Sequence, residues 1–130
     1  MNKLEYIPGD LVMVKESALQ FAKDKIFKVI SSLSGGFLKL VMLNDSSTTY
    51  SISNNAIRPI PLTTVILEKN GWEHKDDVYF KDYPQRKLVT YDDKAYIINE
   101  SCSLFLCKVE FVHQLQNLLF GLGLNSEMEV

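Results

Sequence analysis

Lys25-Ile26-Phe27-Lys28-Val29-Ile30-Ser31-Ser32-Leu33, then Ser34-Gly35-Gly36, then Phe37-Leu38-Lys39-Leu40-Val41-Met42-Leu43: two apolar runs meet at a turn, and this stretch decides the fold. Glycine supplies the positive φ of a tight hairpin at no steric cost. Side chains of a strand alternate between faces, so Leu38, Leu40 and Met42 are predicted inward and Lys39 outward. Upstream, residues 10–15 place Leu11, Val12, Met13 and Val14 in a row, and a polar loop separates them from the hairpin. Downstream, Asn44-Asp45-Ser46-Ser47 predicts a second turn and residues 48–52 another strand. Four or five short strands at this spacing predict a small barrel or strongly bent sheet, specifically an SH3-like barrel over residues 1–60.

Arg58-Pro59-Ile60-Pro61-Leu62 interrupts this pattern. Each proline fixes its own φ and drives the preceding residue to extended backbone, which predicts a stiff connector. Thr63 is placed to N-cap a short helix over 64–70, with Val65, Ile66 and Leu67 packing on a sheet and Gly71 ending it. Trp72 opens a charged stretch, Glu73 to Asp77, read as a solvated loop. Further strands are predicted at 78–81 and 101–111, with a turn at Asp82-Tyr83-Pro84. Residues 87–91 and Lys94–Asn99 form a hairpin about Asp92-Asp93. Residues 112–122 have helical period, with Val112, Leu115, Leu118, Leu119 and Leu122 on one face. The fold class is therefore α+β and mostly β. An SH3-like small barrel over 1–60 is followed by an α+β subdomain over 61–130 (short helix, β-hairpin layer, C-terminal amphipathic helix), packed on the first as one unit because units this small are marginal alone.

The chain has 130 residues, 46% hydrophobic and 23% charged, with a net charge of −2. Residues 1–60 hold seven basic and five acidic side chains, and the remainder seven and eleven. A nucleic-acid binder usually shows a clear basic face; the Lys23, Lys25, Lys28 cluster is the one candidate. No apolar run approaches the roughly 20 residues of a membrane span, and residues 1–6 lack the apolar stretch of a signal peptide. Cys102 and Cys107 are too few for a disulfide framework and read as buried thiols of a reducing cytosol. A cytoplasmic protein is predicted, ordered except over residues 125–130.

No catalytic constellation is visible, and neither a cofactor nor a metal is predicted. Glu73, His74, Asp76 and Asp77 lack the spacing of an oxygen-ligand loop, and His74 with the cysteines lacks zinc spacing. Aromatics among Lys81, Arg86 and Lys87 allow a single-strand stacking platform, but interspersed aspartates oppose phosphate, and packing is the better account. The second face of the closing helix, His113, Gln116, Asn117 and Phe120, admits three readings: acid/base chemistry, hydrogen bonding that seals a sheet edge, and recognition of a partner. Sealing ranks first and partner binding second.

Three stretches carry a resemblance: Gly9-Asp10-Leu11-Val12, then Ile60-Pro61-Leu62-Thr63 with Asn70-Gly71-Trp72, then Phe111-Val112-His113-Gln114-Leu115-Gln116-Asn117-Leu118. In that order the chain resembles small uncharacterised proteins of Bacteroidetes, their phages and mobile elements. It departs from them at Thr64 and Val65, where an acidic pair is usual, at Leu119 and Gly121, and after Gly123. The resemblance implies a genomic setting and no reaction. A non-enzymatic protein-binding or adaptor protein, with itself or a host or phage protein as partner, is the expected function. A nucleic-acid-binding accessory protein using the small barrel is the alternative.

Overall fold

A computed structural model describes residues 6–15, 25–84, 86–99 and 102–130. The N-terminal pentapeptide and Lys23 of the basic cluster lie outside the described residues. The chain divides into two compact units, Met1–Ile60 and Pro61–Val130. Among the described residues it is mostly β, with two five-stranded antiparallel sheets and two α-helices.

The first sheet is built from β1 (Leu11–Val14), β2 (Phe27–Leu33), β3 (Phe37–Met42), β4 (Asp45–Ser53) and β5 (Ile57–Pro59). Its order is β4-β3-β2-β1-β5, and no pairing joins β4 to β5, so hydrogen bonds do not close it into a barrel. Gly35 and Gly36 both take positive φ in the β2–β3 turn, and Leu33 faces Phe37 across it. Alternation then buries Phe27, Val29, Leu38 and Leu40 in one core with Val12, Val14, Ile52 and Ile57. Met42 and Tyr50 pack against them, the Tyr50 ring meeting Phe27 edge-on at 5.9 Å. The second turn falls at Leu43-Asn44 instead of Asn44–Ser47, because Asp45 and Ser47 enter β4 past a register shift opposite Val41 and Met42.

The proline connector is in part a strand. Ile57, Arg58 and Pro59 pair with Val14, Met13 and Val12 as β5. Proline lacks an N–H to donate, and an edge strand is where that loss is tolerated. Pro61 makes a single bridge to Phe111, and the Leu62 N–H donates to the Glu110 carbonyl at 2.9 Å.

The second unit contains α1 (Thr64–Lys69), β6 (Glu73–Lys75), β7 (Val78–Tyr83), β8 (Arg86–Tyr91), β9 (Lys94–Asn99), β10 (Cys102–Lys108) and α2 (Val112–Gly121). Its sheet runs β10-β9-β8-β7-β6. The charged stretch after Trp72 is no loop: Glu73, His74 and Lys75 pair with Phe80, Tyr79 and Val78, and Asp76 takes the positive φ of the turn. Asp82 and Tyr83, expected in a turn, stay paired with Lys87 and Arg86. Asp92 and Asp93 both adopt positive φ, the backbone of a type I′ hairpin.

Both helices stop the same way. Thr63 Oγ1 accepts from the Ile66 N–H to start α1. At its end Gly71 takes φ 85° while the Gly71 and Trp72 N–H groups donate to the Glu68 and Leu67 carbonyls. At the end of α2 Gly123 takes φ 74°, and the Gly123 and Leu124 N–H groups donate to Phe120 and Leu119. These are Schellman motifs, which only a residue at ease with positive φ completes cheaply. Each turns an apolar residue back to its helix, so Trp72 joins Leu67, and Leu124 joins Leu119, in a core with Leu88, Ala95, Val109 and Leu115. Val65, expected to pack, is 60% exposed. Two residues from Leu67 it lies about 200° round the helix.

The tail is ordered as well. The Asn70 side chain donates to the Glu129 carbonyl and accepts from the Glu129 N–H, both at 2.8 Å. Met128 packs against the core. Leu115→Ala and Leu119→Ala should each lower unfolding free energy by roughly 2–4 kcal/mol, whereas Val65→Ala should stay within about 0.5 kcal/mol. Denaturant midpoints check this; silent leucines would mean that α2 presents another face to the core.

Candidate functional site

The closing helix begins without a capping hydroxyl, since Phe111 precedes it. Gln114 substitutes: its Oε1 accepts from the Glu110 and Phe111 N–H groups at 2.8 and 3.1 Å. The signal was a glutamine at the third helical position, the reciprocal half of a capping box. Sequence reasoning passed over it.

The stripe behaves as its period requires. Val112, Leu115 and Leu119 are buried, and Leu118 and Leu122 are half-buried against the second core. The other face does not stay together as a surface. His113 is 2% exposed and Gln116 is buried, Asn117 is half-buried, and Phe120 alone is open at 67%. Gln116 Nε2 donates to the Ser126 carbonyl at 3.2 Å, so this amide reaches the tail. The His113 ring lies nearly parallel to Phe111, centroids 6.0 Å apart. Of the four residues, Phe120 is the one presented to solvent.

Burial shifts titratable groups in both units. Asp10 closes the Ile7–Asp10 turn, accepting from the Ile7 N–H at 2.8 Å. Burial pushes its carboxyl up to about 6, against the opposing pull of that hydrogen bond. Tyr6 is pushed up to about 12 by burial and then by the Asp10 charge. Burial pushes His113 the other way, down to about 4, because it is the cationic form that loses hydration. A general base poised near neutrality would need the reverse environment.

The metal and thiol candidates are also dispersed. Among the described residues no group of three or more His, Cys, Asp and Glu side chains could hold a metal ion. His74 stacks on Tyr79 at 4.7 Å. Cys107 is half-buried, which pushes its thiol up, but Cys102 is exposed, correcting the expectation that both are buried. A register shift between Phe105 and Cys107 breaks the alternation, so both cysteines fall on the face of Ala95. Leu62, Leu67, Tyr79, Thr90 and Val109 share a cavity of about 180 Å³ with Asp77, Asp92 and Asp93.

What the second unit does display is an apolar surface. Register places Phe80, Val89, Tyr96 and Phe105 in one row across four strands, on the face opposite Leu88 and Ala95. Lys87 Nζ sits 4.9 Å from the Phe80 ring centre, and Tyr96 meets Phe105 at 5.6 Å. The row opens to solvent as it approaches β10: Val89 is buried, Tyr96 half-buried and Phe105 52% exposed. Leu104, beside it on the other face, is 59% exposed, and Ile98 is exposed too. Sequence reading missed this surface, because strand pattern gives faces but not which strand ends at an edge.

No known protein family, characterised protein or solved structure matches the chain. Among the described residues no helix is long and apolar enough to cross a membrane.

Asp10 and His113 make opposite contributions to stability. A carboxyl at about 6, against 3.8 unperturbed, contributes stability that is present below pH 3.8 and lost as pH rises through 6. A histidine at about 4, against 6.5, contributes stability that is present above pH 6.5 and lost as pH falls through 4. In the wild-type chain they offset one another over that window. Asp10→Asn should therefore lose stability more steeply than wild type on acidification from pH 6.5, and His113→Gln should lose it as pH rises towards 6. Urea midpoints across the window test both; slopes equal to wild type would contradict the burial of these groups.

Proposed function

We propose that this is a non-enzymatic protein-binding or adaptor protein, cytoplasmic, of the kind carried by a phage, prophage or mobile element. The observation that carries the reading is the solvent-exposed apolar margin of the second sheet, where Ile98 and Phe105 are open on one face and Leu104 on the other. Aromatic and aliphatic side chains left open together, rather than singly, mark sites where another macromolecule removes them from water. The genomic setting rests on the resemblance in the three quoted stretches.

Immobilised wild-type chain and a Phe105→Lys form, incubated with extract of cells that carry the gene, test this. The expected result is a set of bound proteins lost from the variant. Identical sets from both baits would remove the surface from consideration.

The alternative reading is a nucleic-acid-binding accessory protein, and the first sheet favours it. A five-stranded antiparallel meander whose last strand follows a 3-10 turn, here Asn54–Ala56, and returns to β1 has the strand order of SH3-like barrels. Small barrels of that kind often bind nucleic acid, an analogy of fold alone. Lys25 and Lys28 are exposed on this unit. Fluorescence anisotropy with labelled single-stranded DNA and RNA should then show binding that weakens with salt and on Lys28→Glu. No binding at low salt, where phosphate contacts are strongest, would dismiss it.

A further inference from the structure

Antiparallel pairing brings two turns of the second unit, Asp76-Asp77 and Asp92-Asp93, to the same end of its sheet. The cavity of about 180 Å³ opens there. Its depth is apolar, since Leu67 and Val109 are buried, and its rim carries the exposed carboxylates of Asp77, Asp92 and Asp93. No lysine, arginine or histidine lines it. Among the described residues none of the three carboxylates has an ion-pair partner. Thr90 borders the cavity from within the sheet, between Tyr79 and Ala95 on the flanking strands and on the same face as Leu88. It is only 7% exposed. A hydroxyl so enclosed calls for a hydrogen-bond partner. Among the described residues no side chain or carbonyl bonds to it, which leaves the cavity to supply one.

The carboxylates do not converge as metal ligands do. Among the described residues no three His, Cys, Asp and Glu side chains could hold one ion. They surround an apolar floor instead, and a cation with an apolar body answers both features. Tyr79 and Tyr91 line the same space, and aromatic rings attract cations. Cavities of this size hold a group about as large as benzene, which suits a chain of roughly four or five carbons. We propose that this cavity binds an alkylammonium group. The alkyl chain covers Leu67 and Val109, and the ammonium head sits between the rim carboxylates and Thr90, whose hydroxyl accepts one N–H. A free amine and the lysyl side chain of another protein share this chemistry. The site does not depend on what the β10 margin does.

Amide NMR spectra of the full chain, titrated with n-butylammonium, test the assignment. The amides of Asp77, Thr90 and Asp92 should shift saturably, with a Kd of roughly 1 mM, and salt should weaken the response. The uncharged n-butanol should bind at least about tenfold more weakly. Asparagine tolerates the positive φ of position 92, so Asp92→Asn keeps the turn while removing charge. Asp92→Asn and the isosteric Thr90→Val should each weaken binding at least about threefold, with the remaining spectrum unchanged. Asp77→Asn gives the same reading should either variant fail to fold. An equal response to n-butanol, shifts scattered beyond this end of the sheet, no shift at millimolar ligand, or variants that bind like wild type overturn the proposal. Tighter binding of N-acetyl-lysine methylamide than of cadaverine identifies a lysyl side chain as the source; the reverse order identifies a free amine.

Discussion

A five-stranded sheet has two faces, and the second unit spends both its helices on one of them. Leu67 from α1, Leu115 and Leu119 from α2, and the two residues returned by the helix stops, Trp72 and Leu124, converge on Leu88 and Ala95. Full burial of one such leucine is worth roughly 1.5–3 kcal/mol, so this face holds most of what the unit gains on folding. The arrangement depends on both helices ending sharply at glycines with positive φ. Carried one turn further, either helix would lead Trp72 or Leu124 away from the core. With the helical surface committed, the opposite face relies on its own cross-strand contacts: Lys87 over Phe80, and Tyr96 against Phe105. Those contacts shelter the middle of the row and fail at its margin.

That failure is where structure touches function. The second face of the closing helix is open to both a sealing and a partner-binding reading in the sequence, and two of its four residues are buried while one amide reaches the tail. Beyond Phe120, the unit also exposes apolar side chains along β10, at Leu104 and Phe105. The contrast between Glu-His-Lys at one edge of the sheet and an uncharged run at the other is a difference in chemistry within one sheet.

Much of the architecture was legible where local chemistry decides it. Glycines at 35 and 36, Thr63 and Gly71, paired aspartates at 92 and 93, and the leucine stripe all act over a few residues, and each is found doing what its chemistry implies. The illegible parts depend on distant pairing. Pro59 looks like a strand breaker until Val12 pairs with it, and Glu73-His74-Lys75 looks like a loop until residues 78–80 pair with it, its side chains staying exposed. Helical period finds the stripe that meets the core, but it is silent about a second buried side, so it leaves open whether His113 and Gln116 seal a sheet or meet a partner, and both prove buried. The open margin at Leu104 was equally hidden, since a strand inside a sheet and one at its edge differ in neighbours and not in alternation.

The grip of Asn70 on Glu129 has a consequence in time rather than in space. These residues are 59 apart in sequence, and their contact encloses β6 through α2 in a single loop. Bringing together ends that far apart costs chain entropy that a tight turn does not, so the clasp depends on the local hairpins first shortening the chain between them. Once made, it ties the first helix of the unit to the segment that follows the last. A side chain that copies the hydrogen bonding of a strand thus adds a long-range tie to a unit otherwise held by turn chemistry and leucine packing.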